Sequence, residues 1–379
     1  MDQTDLLQLV FWLSLLALGY TFIGYPVVIA LLSWTWPKPG LKRRLETPPS
    51  VSVVLAAGNE EERIVARLEN LLASDYPRER LEIVVVSDGS TDRTAEMVSG
   101  FAERGVRLVR MGDRSGKAAC LNAGVPLAKG EIVVLCDARQ RFAPETIAEL
   151  VANFDDGRVG AVSGELFIES AESGVGGGVD LYWKLEKFIR ESEARFSSVI
   201  GATGAVYAIR RNLFEPLPVD TLLDDVVIPM RIALRGYRVG FDPSAPAYDP
   251  QTTDPVREKR RKLRTLAGNF QMLFRYPGWL APWRTGLWWQ VLSHKYSRVI
   301  APVFMAAMLV SNALLVGISI YRWIFAAQCG FYLLALLGAL LPGVKIRLLS
   351  IPSGFVFLNL MSVGGFWNYA RGVYRQGRW

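Results

Sequence analysis

Residues 81–94 read LEIVVVSDGSTDRT: an apolar run, a carboxylate at its end, and a tight polar turn opening onto a helix. Ile83, Val84, Val85 and Val86 form the continuous β-branched run of a strand buried on both faces of a parallel sheet. Asp88 falls at the carboxyl end of that strand. Open α/β sheets bind ligands there, so Asp88, Gly89 and Ser90 stand where a base and a ribose are held. The same residues also suit an ordinary strand, turn and helix start with Thr91 or Asp92 as the cap, and this stretch alone leaves both readings open.

Outward from it, an earlier strand over 51–56 ends in Gly58-Asn59-Glu60-Glu61, and a later one over 131–135 ends in Cys136-Asp137-Ala138-Arg139. Between the second and third strands lies SGKAACLNAG at 115–124, a Gly-Lys turn leading into a small-residue helix that can approach a diphosphate closely. With these strand ends and this turn the chain resembles the family 2 glycosyltransferases, with the GT-A nucleotide-sugar fold, over about 51–268. The resemblance is closest to membrane-bound bacterial enzymes related to cellulose, hyaluronan and poly-N-acetylglucosamine synthases. It implies an α/β fold, a mostly parallel sheet with helices on both faces, joined to transmembrane α-helices.

The resemblance also implies roles. Ala56-Ala57-Gly58-Asn59-Glu60 stands for the Pro-Ala-x-Asn-Glu pattern that contacts uridine, with Asn59 and Glu60 retained. Asp88 corresponds to the carboxylate that reads uracil, and Lys117 to the lysine facing the donor phosphates. The Asp-x-Asp metal motif reads Asp137-Ala138-Arg139, which leaves Asp137 as the ligand for Mg2+ or Mn2+. Arg139 is then an alternative, bidentate donor to phosphate. Gly201, Thr203 and Gly204 lie in the loop that meets the acceptor sugar, where a plain tight turn is the rival reading. Leu223-Asp224-Asp225 matches the acidic pair whose second member is the catalytic base, and helix capping is its rival. The Gln-x-x-Arg-Trp motif reads Arg261-Lys262-Leu263-Arg264-Thr265, keeping Arg264 for the donor diphosphate beside Arg261 and replacing the tryptophan that stacks near the acceptor.

Composition places this domain at a membrane. Residues 6–34 carry no charge over 29 positions, longer than the roughly 20 needed to cross a hydrocarbon core. Asp2 and Asp5 argue against a cleaved signal peptide, whose start is basic. Lys38, Lys42, Arg43 and Arg44 follow, so the positive-inside rule puts Met1 outside and the catalytic domain in the cytosol, and the resemblance implies a bacterial inner membrane. Apolar segments near 299–320, 324–341 and 350–370 close the chain. The last contains Pro352, Gly354, Asn359, Gly364 and Gly365 and reads as a kinked span or a re-entrant piece. Four crossings would leave Arg371, Arg375 and Arg378 on the side of Met1, against the usual charge bias.

The tryptophans of 276–295 suggest an interfacial helix. The expected organisation is thus 1–36 (transmembrane helix), 45–268 (cytosolic GT-A domain), 269–296 (interfacial helix) and 297–379 (two or three spans and a basic tail). The net charge of +7 is concentrated in Arg257, Lys259, Arg260, Arg261, Lys262 and Arg264, which suits anionic lipid or a pyrophosphate better than nucleic acid. One histidine, His294, and three scattered cysteines exclude a multi-histidine metal centre and a disulfide framework. On the helix expected over 179–196, Glu186 and Arg190 have the spacing of a local ion pair.

The function implied is an inverting transfer of sugar from a UDP-sugar to a growing polysaccharide or glycan acceptor. The alternatives are transfer of one sugar to a lipid or lipid-linked acceptor, and an inactive nucleotide-binding assembly subunit. The expected partners are the UDP-sugar, the acceptor, the bilayer, and an export partner or a second copy of the chain.

Overall fold

The computed structural model describes residues 2–38, 40, 42, 47–169, 177–250, 255–341 and 346–373. Arg43, Arg44, Arg375 and Arg378 lie outside them. The strands are β1 (Val51–Ala57), β2 (Leu81–Asp88), β3 (Val106–Met111), β4 (Ile132–Asp137), β5 (Arg141–Phe142), β6 (Val159–Glu169), β7 (Val206–Arg210) and β8 (Arg238–Pro250). The helices are α1 (Gln3–Thr35, with a π-helical turn at Tyr20–Gly24), α2 (Ile64–Leu72), α3 (Thr94–Ser99), α4 (Lys117–Gly124), α5 (Thr146–Ala152), α6 (Gly177–Phe196) and α7 (Asp224–Leu234). They continue with α8 (Pro255–Arg275), α9 (Trp288–Leu314, with a π-helical turn at Val291–Tyr296), α10 (Ser319–Leu340) and α11 (Arg347–Ala370). Two compact units result. Met1–Trp36, Ala171–Glu193 and Val256–Arg371 form a helical unit, and Pro37–Ser170, Ala194–Pro255 and Gly372–Trp379 form a sheet unit.

In the sheet unit the strands are ordered β3-β2-β1-β4-β7-β6-β8-β5. The first four are mutually parallel, with Val53 opposite Ile83 and Val134. β7 runs antiparallel between β4 and β6, and β6 pairs parallel with β8. Val53, Val54, Leu55, Ile83, Val84, Val85 and Ile132 to Leu135 are all fully buried, as β-branched strands covered on both faces require. α2 buries Ile64, Leu68 and Leu71 on one stripe, each such side chain contributing about 1.5–3 kcal/mol by leaving water. The small residues of α4 serve close packing on the sheet. A Cβ on Gly124 would stand 2.7 Å from Val86 Cγ2 and 2.9 Å from Val54 Cγ1.

In the helical unit, α1, α9, α10 and α11 are each long and apolar enough to cross a bilayer. Asp2 and Asp5 cap α1 reciprocally, so the acidic start serves as a helix cap. The Trp-rich segment is not a helix of its own. α8 ends at Arg275, Pro277–Leu280 form a 3-10 turn, and α9 already begins at Trp288. Pro277, Gly278, Pro282 and Gly286 deny the intervening residues a continuous ladder. Trp279 is buried and stacked on Tyr276 at 4.5 Å, whereas Trp283 is 84% exposed.

The closing segment is one continuous helix, and its glycine pair is a crossing point rather than a break. A Cβ on Gly365 would lie 2.4 Å from Leu266 Cβ, and one on Gly364 2.8 Å from Leu263 Cδ2. Small residues allow α8 this close approach to α11, with Phe270 edge-on to Phe366 beside it.

The helical unit also encloses a polar cluster. His294 places Nδ1 2.9 Å from Glu193 Oε1 and Nε2 3.0 Å from Glu186 Oε2, while Arg298 donates to Glu186 at 2.7 Å. Tyr25 donates its hydroxyl to the fully buried Glu193. Glu186 therefore meets His294 and Arg298, contacts that its spacing from Arg190 did not reveal. The π-helical turns of α1 and α9 meet beside this cluster, where the Tyr20 hydroxyl and Ser293 Oγ are 2.6 Å apart.

Candidate active site

The site grows from the carboxyl ends of β1, β2 and β4. Asn59 follows β1 with a φ of 57°, a left-handed conformation that asparagine tolerates better than most residues. Its Oδ1 accepts the N–H of Thr91 at 2.9 Å, and the Glu60 N–H reaches Thr94 Oγ1 at 2.8 Å. Glu61 and Asp92 join the same two loops through the Glu61 N–H to Asp92 Oδ2, 3.1 Å. Asn59 and Glu60 thus brace the loop after β1 against the start of α3. Gly89 needs to be glycine, since its φ is 55° and a Cβ would lie 2.6 Å from the Arg114 nitrogen.

Asp88 is fully buried, and its carboxylate accepts the N–H groups of Ser115 at 2.7 Å and Gly116 at 3.0 Å. Those amides form the turn before α4, so Asp88 fixes where Lys117 begins. Burial and the nearby Asp88 charge push the Cys120 thiol up to about 12, which makes it an inert packing residue.

Lys117 is the hub. Its Nζ lies 2.7 Å from Asp137 Oδ1, 3.4 Å from Asp224 Oδ2 and 3.4 Å from the Gly204 carbonyl. Burial works against its charge, but Asp137 and Asp224 outweigh it and raise the lysine pKa. Gly204 also donates its N–H to Asp225 Oδ2 at 3.1 Å, so one glycine touches both the ammonium and the second acidic residue. Thr203 N–H is held by Ser163 Oγ at 2.9 Å. The Asp137 side chain is 41% exposed, while those of Lys117 and Asp224 are 8% and 6%. Both α7 carboxylates sit in its first turn, where the helix dipole favours negative charge.

The structure therefore brings Lys117, Asp137, Gly204, Asp224 and Asp225 together, with Asp88 behind them. Arg139 forms an ion pair with Asp249 of β8, and both side chains are largely buried. Its guanidinium is engaged within the sheet, at the position where the resemblance has a second aspartate. Arg261 and Arg264 lie on α8 of the helical unit, where Arg261 pairs with Glu258 at 2.8 Å. Among the described residues, no three His, Cys, Asp or Glu side chains form a metal-holding group by themselves.

Sequence reasoning missed Tyr207, which is buried and donates to Asp224 Oδ2 at 3.1 Å. Burial and Asp224 raise its pKa well above the usual tyrosine value, so it acts as a donor. A tyrosine in an apolar strand reads as core, and its hydroxyl leaves no pattern in the sequence. Ser163 and Asp249 escaped for the same reason.

Comparison with known proteins agrees with this geometry. The family model Glycosyl transferase family 2 matches residues 52–217. The probable glycosyltransferase YdaM of Bacillus subtilis is 26% identical over 253 residues, covering 63% of this chain and 59% of its own length. The poly-beta-1,6-N-acetyl-D-glucosamine synthase of Staphylococcus aureus is 28% identical over 233 residues, covering 59% of this chain and 56% of its own. The chain thus spans a little over half the length of these curated relatives. Among solved structures, the mannosyltransferase PcManGT from Pyrobaculum calidifontis, in complex with GDP-Man and Mn2+, superposes with a TM-score of 0.73 at 22% identity, covering 95% of this chain and 99% of that one. Residues 52–217 are thus a glycosyl transferase family 2 domain by their match to the family model, and the sheet order and this superposition give the chain the GT-A fold.

Proposed function

We propose that this is a membrane-bound inverting glycosyltransferase that moves a sugar from a UDP-sugar to a growing polysaccharide or glycan acceptor. The observation that carries the reading is the convergence of Asp137, Asp224 and Asp225 on Lys117 and Gly204 at the carboxyl end of the sheet. Leaving-group stabilisation and proton acceptance are then served from adjacent groups. The acceptor hydroxyl oxygen attacks the anomeric carbon as the bond from that carbon to the diphosphate oxygen breaks. The electron pair leaves with UDP, and Asp225 takes the hydroxyl proton as general base. Lys117 offsets the negative charge that grows on the diphosphate.

The cluster sets three carboxylates, Asp137, Asp224 and Asp225, around one ammonium, a formal deficit of two positive charges. A divalent ion fits that deficit, with the half-exposed Asp137 as its protein ligand and donor phosphates and water completing the shell. Mg2+ or Mn2+ would supply charge neutralisation for the leaving diphosphate. The name of the Staphylococcus aureus relative supports a polysaccharide product, and the four apolar helices support an acceptor at a membrane.

The test compares wild type with Asp225→Asn in lipid. Transfer is expected to fall about a hundred-fold to ten-thousand-fold, with UDP affinity by calorimetry nearly unchanged. Turnover at the wild-type rate in that variant removes Asp225 from the mechanism.

A further inference from the structure

Helix α7 opens with Asp224 and Asp225 and holds a proline, Pro229, in its interior. An α-helical N–H bonds the carbonyl four residues back, and proline has no N–H, so residue 229 cannot bond the carbonyl of Asp225. That carbonyl accepts the Ala202 N–H instead, at 2.6 Å. From the side-chain direction, Gly204 N–H meets Asp225 Oδ2 at 3.1 Å. The loop over 202–204 is thus pinned to both the main chain and the side chain of one residue. Gly201 admits the contact because a Cβ there would lie 3.0 Å from Val226 Cγ2 and 3.4 Å from the Asp225 carbonyl oxygen.

We infer that Pro229 is a positioning residue: by withholding an N–H it leaves the Asp225 carbonyl to tether the 201–205 loop beside the Asp225 carboxylate. The energetics favour a positioning role over a stabilising one. Proline in a helix interior costs about 3 kcal/mol relative to alanine, and a single backbone hydrogen bond returns only about 0.5–1.5 kcal/mol. Stability alone would select another residue. Pro229 itself is buried within α7, four residues beyond Asp225, so its influence on the loop runs through the Asp225 carbonyl. Its consequence for catalysis rests on the transferase reading above, whereas the tether itself does not.

The experiment compares the full chain with Pro229→Ala, and with Pro229→Val, which keeps the side-chain volume while restoring the N–H. In both variants residue 229 competes for the Asp225 carbonyl. Hydrogen exchange at the Ala202 amide, read by mass spectrometry in lipid nanodiscs, is expected to accelerate about ten-fold as its bond is lost. The melting temperature stays level or rises. kcat falls about ten-fold or more as the loop loses its register, with donor KM within two-fold of wild type. Unchanged exchange at Ala202 overturns the tether. Faster exchange with wild-type kcat overturns its positioning role. Exchange needs no turnover, so a chain that transfers no sugar would refute the transferase reading while still deciding the tether.

Discussion

Each of the two units buries a cluster of titratable side chains, and the two are built to different ends. In the sheet unit Lys117 gathers Asp137, Asp224 and Asp225 on strand ends, a helix start and a glycine loop, and the Asp137 side chain remains 41% exposed. In the helical unit Glu186 and Glu193 meet His294, Arg298 and the Tyr25 hydroxyl, with Glu193 at 0% exposure and partners drawn from two other helices. One cluster is short of positive charge and opens to solvent. The other pairs carboxylates with a histidine, an arginine and a tyrosine from within the protein. Buried charge by itself therefore does not mark a site; a charge deficit at an accessible strand end does.

This contrast predicts that breaking the first cluster injures chemistry and stability together, whereas breaking the second injures stability alone. The largest effect is expected for Lys117→Met, which strands the buried Asp224 beside Asp137. Loss of one partner from a buried pair costs about 3–5 kcal/mol, read as a lower midpoint in chemical denaturation, and transfer should fall with it. Glu193→Ala comes next, at about 3 kcal/mol, because His294 and Tyr25 lose their shared acceptor. Its residual folded fraction should bind UDP with wild-type affinity. If Glu193→Ala abolished nucleotide binding at full stability, the division of labour between the clusters would be wrong.

The smallest effect appears only in acid. Burial alone would raise the Glu186 pKa, but His294 and Arg298 outweigh it and hold it well below the usual carboxylate value. A depressed folded-state pKa gives stability that is present above the unfolded value, about 4.3, and lost as pH falls below it. Melting temperature should therefore drop below about pH 4 in the wild type, and Glu186→Gln should flatten that drop. An unchanged acid limb in the variant would move the proton uptake elsewhere.

What could be read from the sequence follows from locality. Ile83 to Val86 announce a doubly covered strand because burial on both faces leaves no alternation to misread. Lys117, Asp137 and Asp225 stand at strand or helix ends, and their neighbours in sequence carry the pattern. Arg139 and Asp249 are 110 positions apart, so their ion pair leaves no local trace. Separations of 168, 101 and 108 positions likewise hide Tyr25 from Glu193 and His294 from both glutamates. Two features were hidden for related reasons. Tryptophans at 279–289 outweighed the prolines and glycines that interrupt a helix there, and the re-entrant alternative for the last segment stayed open because the crossing helix α8, which Gly364-Gly365 admit, is invisible from α11 alone. Pro229 is the converse case, since its missing N–H and the carbonyl it releases are both fixed by sequence position.

The central claim is that the open cluster transfers sugar from a nucleotide donor. It is tested most directly by incubating the purified chain in lipid with Mg2+ or Mn2+, a glycan acceptor and a panel of UDP-sugars, with GDP-mannose as the contrasting donor, while following nucleoside diphosphate release and product anomeric configuration together. The account predicts UDP release from one UDP-sugar, matched by a glycosidic product of inverted configuration and stopped by chelator. Nucleotide binding without release from any donor, or release only from GDP-mannose, would contradict it.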